Sequence, residues 1–314
     1  MEHLGEGGYD ESMKPLLPPS KQPKQKEISL RKIEKFQQQV IEFWKLHGRH
    51  NLPWRHTTDP YKILVSEIML QQTQVNRVIE KYQEFLVEFP TVHMLAQASL
   101  AQVLLLWSGL GYNRRGKFLR ECAISIVKNH NGKIPSTRYE LENFPGIGKY
   151  TAGAVRVFAY NKVDVFLETN IRAVFIHHFF ARRSLIPQDE GGFPDTITIN
   201  DRQILSYVEM CMNSLPKGVD PRTWYWALMD YGAYLKKTFP NPSRKSTQYR
   251  KQSKFEGSIR QVRGAIIKQL TSDSQTLTKL CKMLPYEAER INEALKGLEK
   301  DGIVVQKRSR WHIS

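Results

Sequence analysis

The fold is decided by the stretch Leu141-Glu142-Asn143-Phe144-Pro145-Gly146-Ile147-Gly148-Lys149-Tyr150-Thr151-Ala152-Gly153. Its Pro-Gly-Ile-Gly sequence lies between two segments of helical character. The two glycines let the backbone approach a ligand closely, and the first N–H groups of the next helix face outward. An ordinary turn between helices does not require Pro, two spaced glycines and Lys-x-Thr-Ala together. We therefore predict a helix-hairpin-helix whose turn, Pro145, Gly146, Ile147 and Gly148, can grip a phosphate.

The charge of the chain points to a polyanionic partner. Its 314 residues include 47 Lys and Arg against 31 Asp and Glu, a net charge of +16. This excess is larger than solubility requires and is typical of proteins that bind nucleic acid.

The three cysteines, Cys122, Cys211 and Cys281, are far apart and odd in number, which favours neither a disulfide framework nor an all-cysteine metal site. No apolar run suits a signal peptide or a membrane helix, so we expect a cytoplasmic, membrane-free protein.

Composition divides the chain into four segments. Residues 1–26 are rich in Gly, Pro and charge and predict a disordered tail. Residues 27–236 carry repeated helical periodicity and predict a mostly helical body, in which Asp59-Pro60 starts a helix running from Tyr61 to about Thr73. Residues 237–257 predict a basic linker.

Residues 258–314 predict a small module of three helices and a hairpin. The helices are expected around Ile259–Leu270, Leu277–Met283 and Ile291–Leu298, and the hairpin around Asp301-Gly302. This order favours a winged helix-turn-helix, which often binds DNA. The alternative is a module used for packing or for protein contacts.

Two glutamates are candidates for chemistry. Glu67 lies within Ile63-Leu64-Val65-Ser66-Glu67-Ile68-Met69-Leu70, where shielding would raise its pKa towards use as a proton donor. An exposed helix edge is the alternative, although this segment has little polar face. Glu168 opens a helix after the hairpin, and taken alone it is expected to cap that helix.

Several strings resemble the helix-hairpin-helix DNA glycosylases, and among them the MutY-type adenine DNA glycosylases, over about residues 30–235. Besides the hairpin they are Leu52-Pro53-Trp54-Arg55, Pro60-Tyr61-Lys62, Ser66-Glu67-Ile68-Met69-Leu70-Gln71-Gln72-Thr73-Gln74 and Leu106-Trp107-Ser108-Gly109-Leu110-Gly111-Tyr112. The resemblance implies an all-α body of two helical subdomains with a base-flipping pocket between them. The C-terminal module would be appended to that body.

The resemblance also implies roles for individual residues. Glu67 matches the general acid that protonates adenine N7, and Glu168 stands where the family has a catalytic Asp supported by the residue at Asn170. The remaining matches imply contacts with DNA or with the base. Gln71 and Gln72 match the residues that wedge into the duplex, and Thr73 belongs to the same string. Tyr112 matches an aromatic ring that inserts between bases, and Arg55 falls where the family lines the base pocket. Without the surrounding strings, Gln71, Gln72 and Tyr112 would be interpreted as surface residues.

Four departures from the family pattern bear on activity. Glu168 is one methylene longer than Asp, and Tyr150 replaces the lysine with which bifunctional relatives form a Schiff base, so a monofunctional enzyme is expected. The iron–sulfur ligand positions fall at Lys236, Ser243 and Ser246, which predicts no cluster, no metal and no other cofactor. Trp226 stands where adenine-specific members have Gln or Glu, and its indole cannot accept a hydrogen bond.

These observations predict a monomeric base-excision enzyme acting on double-stranded DNA that contains a mispair or lesion. The favoured reaction is hydrolysis of the N-glycosidic bond of adenine opposite guanine or 8-oxoguanine. Residues 258–314 do not resemble the family's Nudix-like lesion-reading domain. The alternatives are a thymine or uracil mismatch glycosylase and a catalytically silent protein that binds mispaired DNA.

Overall fold

Helices make up most of the described chain, which in this computed structural model comprises residues 29–180, 198–251 and 254–314. The predicted all-α class is confirmed, and sheet occurs only in a small C-terminal element. The predicted tail, residues 1–26, lies outside the described residues. The helices of the body are α1 (Leu30–His47), α2 (Pro60–Leu70), α3 (Val75–Glu88), α4 (Val92–Gln97), α5 (Leu100–Leu106), α6 (Arg114–His130), α7 (Arg138–Glu142), α8 (Lys149–Phe158), α9 (Thr169–Phe175), α10 (Asp201–Asn213) and α11 (Pro221–Thr238).

The helices of the body form two groups with a cleft between them. Helix α1 packs against α10 and α11, and α9 packs against both of these. The apolar stripe of α1 is the reason, since Ile33, Phe36 and Val40 recur at helical spacing and are all buried. Helices α2 to α8 form the other group, in which α2 packs on α3, α6 and α8. Helix α2 also lines the cleft, through Ile63, Glu67 and Leu70.

Helix α2 begins where predicted and ends earlier than predicted. The Asp59 carboxylate accepts a hydrogen bond from the Tyr61 N–H at 2.8 Å, which caps the first turn. The helix ends at Leu70, whereas the sequence predicted a helix to about Thr73. Gln72 has a φ of 54°, which is incompatible with a continuing right-handed helix. The residues of the predicted wedge thus lie on a loop.

The glycine-rich hairpin joins α7 to α8 as predicted. Gly146 has a φ of 76°, and a Cβ there would lie 2.7 Å from the Cβ of Phe118. Only glycine combines this conformation with such a close approach. Gly148 is the N-cap of α8, and a Cβ there would meet nothing within 4 Å, so the space beside this cap is open.

The C-terminal module comprises residues 258–314 and has a hydrophobic core of its own. Its helices are α12 (Ile259–Leu270), α13 (Leu277–Met283) and α14 (Ala288–Lys300), and its strands are β1 (Gln275–Thr276), β2 (Val304–Lys307) and β3 (Arg310–Ile313). The antiparallel sheet has the order β1-β3-β2, so the predicted hairpin gains a third strand that the sequence did not indicate. Leu100 and Leu104 of α5 belong to the core of this module. The winged-helix interpretation stays a prediction.

Part of the segment predicted as a basic linker packs on the body. Helix α11 continues to Thr238, and residues Pro242–Lys245 form a 3-10 turn. Ser243 and Ser246 are buried, and Ile199 bridges to Ser246. Among the described residues, no helix combines the length and the apolar character needed to cross a bilayer.

Candidate active site

A cavity of about 540 Å³ opens between the two helix groups. Its walls come from α2, the loop after α2, the hairpin, α8, the start of α9 and α11. Most of the residues predicted from the sequence line it: Arg55, Glu67, Gln71, Gln72, Thr73, Gly146, Gly148, Tyr150, Glu168, Asn170 and Trp226. Tyr112 lines a second cavity, while Ile147 is buried in the core beside the partly buried Pro145.

Glu67 is a buried carboxyl with one close hydrogen-bond donor. Its side chain is 4% exposed, and the Tyr150 hydroxyl donates to its Oε2 at 2.8 Å. Burial raises the pKa of Glu67 to about 7, helped by the negative charge of Glu168 and opposed by the Tyr150 hydrogen bond and by Arg55. A substantial fraction of Glu67 is therefore protonated near neutral pH, as a general acid requires.

Glu168 is the N-cap of α9, as its position alone predicted. Its Oε1 accepts from the backbone N–H groups of Asn170 at 2.8 Å and Ile171 at 2.9 Å. Its Oε2 accepts from the Asn170 side-chain amide at 3.2 Å. These bonds fix the carboxylate while it still lines the cavity, so capping and a charge facing the ligand are compatible here.

Arg55 is held rigidly beside Trp226. Its guanidinium donates to both oxygens of Asp230, at 2.7 and 2.9 Å, and lies 5.5 Å from the centroid of the Trp226 ring. Burial raises the pKa of Asp230, but the hydrogen bonds and charges of Arg55 and Arg49 outweigh it and bring that pKa below its ordinary value. Trp226 lies nearly parallel to Phe158, with ring centroids 6.1 Å apart. Asp230 therefore fixes Arg55 beside Trp226, and these two residues form one preorganised wall of the cavity.

Two non-glycine residues at the rim have left-handed backbone conformations. The φ angles are 54° at Gln72 and 48° at Tyr112. Such conformations cost free energy and concentrate at functional sites. The side chain of Gln71 turns inward and its amide donates to the Thr151 hydroxyl at 3.2 Å, whereas Gln72 is exposed. Gln71 therefore faces the interior of the protein, whereas Gln72 faces solvent.

Sequence reasoning missed Arg115, which ties the two rim loops together. Its guanidinium donates to the carbonyls of Ile68 and Met69 at 2.8 and 2.9 Å, and also to that of Gln71. The other terminal nitrogen donates at 3.0 Å to Thr73 Oγ1 and to the carbonyls of Leu110 and Gly111. Burial lowers the pKa of Arg115 to about 10. The sequence feature that could have pointed to Arg115 was its position three residues after Tyr112, at the end of the Gly109-Leu110-Gly111-Tyr112 string.

Comparisons with known proteins show the family to which the chain belongs. Residues 65–191 match the HhH-GPD superfamily of base excision DNA repair proteins. The adenine DNA glycosylase of Buchnera aphidicola subsp. Baizongia pistaciae is 34% identical over 200 residues, which cover 64% of this chain and 52% of that protein. The adenine DNA glycosylase of Mycobacterium tuberculosis (strain H37Rv) is 31% identical over 282 residues, which cover 84% of this chain and 88% of that protein. The chain belongs to the adenine DNA glycosylase family.

The fold of this adenine DNA glycosylase family member is shared with a solved structure. A thermostable thymine-DNA glycosylase matches it with a TM-score of 0.56 and 25% sequence identity. The match covers 69% of this chain and 93% of the other. The chain spans about half the length of the Buchnera relative.

The region where the resemblance implies an iron–sulfur cluster does not fit one in this family member. The Ser243 hydroxyl donates to the Thr169 carbonyl at 3.0 Å, and the Ser246 hydroxyl accepts from the Gln248 N–H at 3.1 Å. Lys236 supplies an ammonium group, which is not a ligand, and hydroxyls do not replace thiolates. Within the described ranges, no three His, Cys, Asp or Glu residues gather as a metal site requires.

Proposed function

We propose that this protein is a monofunctional DNA glycosylase that hydrolyses the N-glycosidic bond of adenine mispaired with guanine or 8-oxoguanine. The observation that carries the proposal is the buried pair of Glu67 and Tyr150 in a cavity of about 540 Å³, which has room for a flipped nucleotide. The family of the chain supports the same reaction. Double-stranded DNA is the proposed partner, and its backbone suits the chain's net charge of +16.

In the proposed reaction, the Glu67 carboxyl gives its proton to N7 of the flipped adenine. The bond between C1′ and N9 then breaks, its electron pair stays with the base, and adenine leaves as a neutral molecule. A water molecule adds to C1′ and loses a proton, which can restore Glu67. Tyr150 offers no amine, so the chemistry at C1′ is hydrolysis rather than imine formation.

Glu168 is proposed to stabilise the positive charge that develops on the sugar. A preorganised carboxylate favours an oxocarbenium-like transition state because its orientation costs nothing during the reaction. Hydrogen bonds from two backbone N–H groups and from Asn170 supply that orientation. We expect these capping bonds to position the carboxylate despite the longer side chain of Glu relative to Asp.

A second candidate is excision of thymine or uracil opposite guanine. Trp226 and Phe158 line the pocket with two nearly parallel rings, and an indole cannot accept a hydrogen bond from the adenine amino group. The similarity to a thymine-DNA glycosylase supports this alternative as well. The Glu67 string and the identity of the curated relatives favour adenine.

Single-turnover cleavage of labelled duplexes tests the proposal. The set carries A opposite G, A opposite 8-oxoguanine, T opposite G, and U opposite G, with and without alkali after incubation. Alkali-dependent cutting only at A supports the proposal, and cutting at T or U supports the second candidate. Binding without any cutting would identify a catalytically silent protein on a glycosylase scaffold.

The proposal includes a monomer that works without a metal or an organic cofactor. The donor chemistry of Lys236, Ser243 and Ser246 supports this part, since their side chains form hydrogen bonds or carry positive charge. Iron analysis of the purified active protein tests it. Stoichiometric iron that is required for DNA binding would contradict the cofactor-free proposal.

A further inference from the structure

A second cavity, of about 490 Å³, lies beside the active site. Gln72 and Thr73 line both cavities, so the loop after α2 is the wall between them. Gln72 is exposed in this wall between the two cavities. A nucleotide bound in the first cavity and its partner on the other strand would therefore lie on opposite sides of Gln72.

The C-terminal module supplies one wall of this second cavity. Helix α12 contributes residues that recur at a spacing of three or four, which places them on one helix face. They are Arg260, Gln261, Gly264, Ala265, Ile267 and Lys268, and Thr271 follows directly after the helix. The opposite wall is the Ser108–Asn113 loop with Tyr112. The described lining contains the basic residues Arg77, Arg260 and Lys268 and no acidic residue, which suits an anionic nucleotide.

Arg260 is in direct contact with Tyr112 at the edge of this cavity. Its Nη1 donates to the Tyr112 hydroxyl at 2.8 Å, and its guanidinium carbon lies 5.2 Å from the ring centroid. Arg115 contacts the same ring at 5.6 Å. Tyr112 therefore holds a planar, charged donor group of the C-terminal module at the second cavity, which both residues line.

We propose that the second cavity receives the nucleotide opposite the excised base and that Arg260 makes the protein select guanine there. Arginine donates in a fork to O6 and N7 of guanine, and cytosine and thymine present no such pair of acceptors. This inference rests on the proposed function for the identity of the substrate. It assigns a specificity role to α12 of the C-terminal module.

Binding of the full chain to duplexes with a tetrahydrofuran abasic analogue tests the inference without requiring excision. The analogue is placed opposite G, C or T, and equilibrium affinity is measured for each duplex. We expect tighter binding opposite G by about tenfold or more. Arg260→Met should abolish this preference, and Arg260→Lys should retain only part of it because a single ammonium cannot form the fork.

A matched control removes the same charge elsewhere on the module. Lys279 of α13 is exposed and does not line the cavity, so Lys279→Met should keep the preference for G. A full chain with no preference, or an Arg260→Met variant that keeps it, would overturn the inference.

Filling the cavity gives an independent test that leaves Arg260 in place. A Cβ at Gly264 meets nothing within 4 Å, so Gly264→Leu projects into the cavity without a clash in the helix. Gly264→Ala is the matched control, because both substitutions favour the helix and only leucine occupies the cavity. Leucine should weaken binding opposite G much more than alanine does, because a Cβ alone at Gly264 contacts nothing within 4 Å. Equal binding by the two variants would contradict the proposed occupancy.

The outcomes separate this inference from the proposed function. A preference for G that depends on Arg260, without release of adenine from any duplex, refutes the proposed reaction alone. Release of adenine with no dependence on Arg260 refutes the inference alone.

Discussion

Among the individual residues, Glu67 should set the pH dependence of base release. Its pKa is raised to about 7, so the protonated acid predominates below that pH and is lost above it. The single-turnover rate should therefore fall about tenfold per pH unit on the alkaline side. Glu67→Gln should abolish release and preserve duplex binding. A flat profile to about pH 9, or a normal rate in the variant, would remove Glu67 from its assigned role.

The Tyr150 hydroxyl should set the pH at which Glu67 loses its proton. The hydrogen bond from its hydroxyl lowers the pKa of Glu67, against the larger effect of burial. Tyr150→Phe should therefore move the alkaline limb of the rate profile to higher pH. Tyr160→Phe is the control, since the Tyr160 hydroxyl donates to the Ile134 carbonyl and does not line the cavity. A limb that stays in place, or moves to lower pH, would show that the hydroxyl does not act on Glu67.

We expect the single-turnover rate to depend more on the negative charge of Glu168 than on its capping hydrogen bonds. Glu168→Gln keeps an acceptor for the N–H groups of Asn170 and Ile171, so the free energy of unfolding should change by less than about 1 kcal/mol. The single-turnover rate should fall by about 10²-fold or more because the charge is lost. Glu168→Ala should lose both rate and stability. An unchanged rate in Glu168→Gln would show that the charge is not used.

Among the structural elements, the two rim loops should depend on Arg115 for their shape. Arg115→Met leaves the carbonyls of Ile68, Met69, Leu110 and Gly111 without this donor. We expect a loss of about 3 kcal/mol in the free energy of unfolding. Chemical denaturation measures it. Arg115→Lys should lose less stability because it keeps the charge; equal losses would show that the charge contributes nothing.

The elements also show which features a sequence can predict. The start of α2 followed from Asp59-Pro60, because capping is local. Its end at Leu70 did not, because the loop that follows is bonded to Arg115, which lies far along the chain. The same distinction holds for β1, a strand of two residues whose existence depends on pairing with β3.

The candidate site was likewise predictable only in part from the sequence. The motifs identified Glu67, Tyr150 and Glu168 because they stand at family positions, although Tyr150 and Glu168 depart from the residue types expected there. The hydrogen bond between Tyr150 and Glu67 and the fork between Arg55 and Asp230 join residues distant in sequence, so no local pattern could have revealed them.

For the protein as a whole, the basic segment after α11 should contribute to affinity for any duplex. Arg250, Lys251 and Lys254 are exposed there. Replacing all three by alanine should reduce the slope of log affinity against log salt by up to about 0.9 for each phosphate that is no longer bound. The matched control exchanges Arg and Lys at these positions and keeps the charge. An unchanged slope in the alanine variant would place this segment outside the interface.

Helix α5 has a consequence for how such a protein can diverge. Its residues Leu100 and Leu104 complete the core of the C-terminal module, while its Val103 lies in the core of the body. A recombination event that exchanged the region after residue 257 would leave two leucines of the recipient without their packing partners. Inheritance of a new C-terminal region therefore requires compensating changes in α5, so body and module are expected to evolve together.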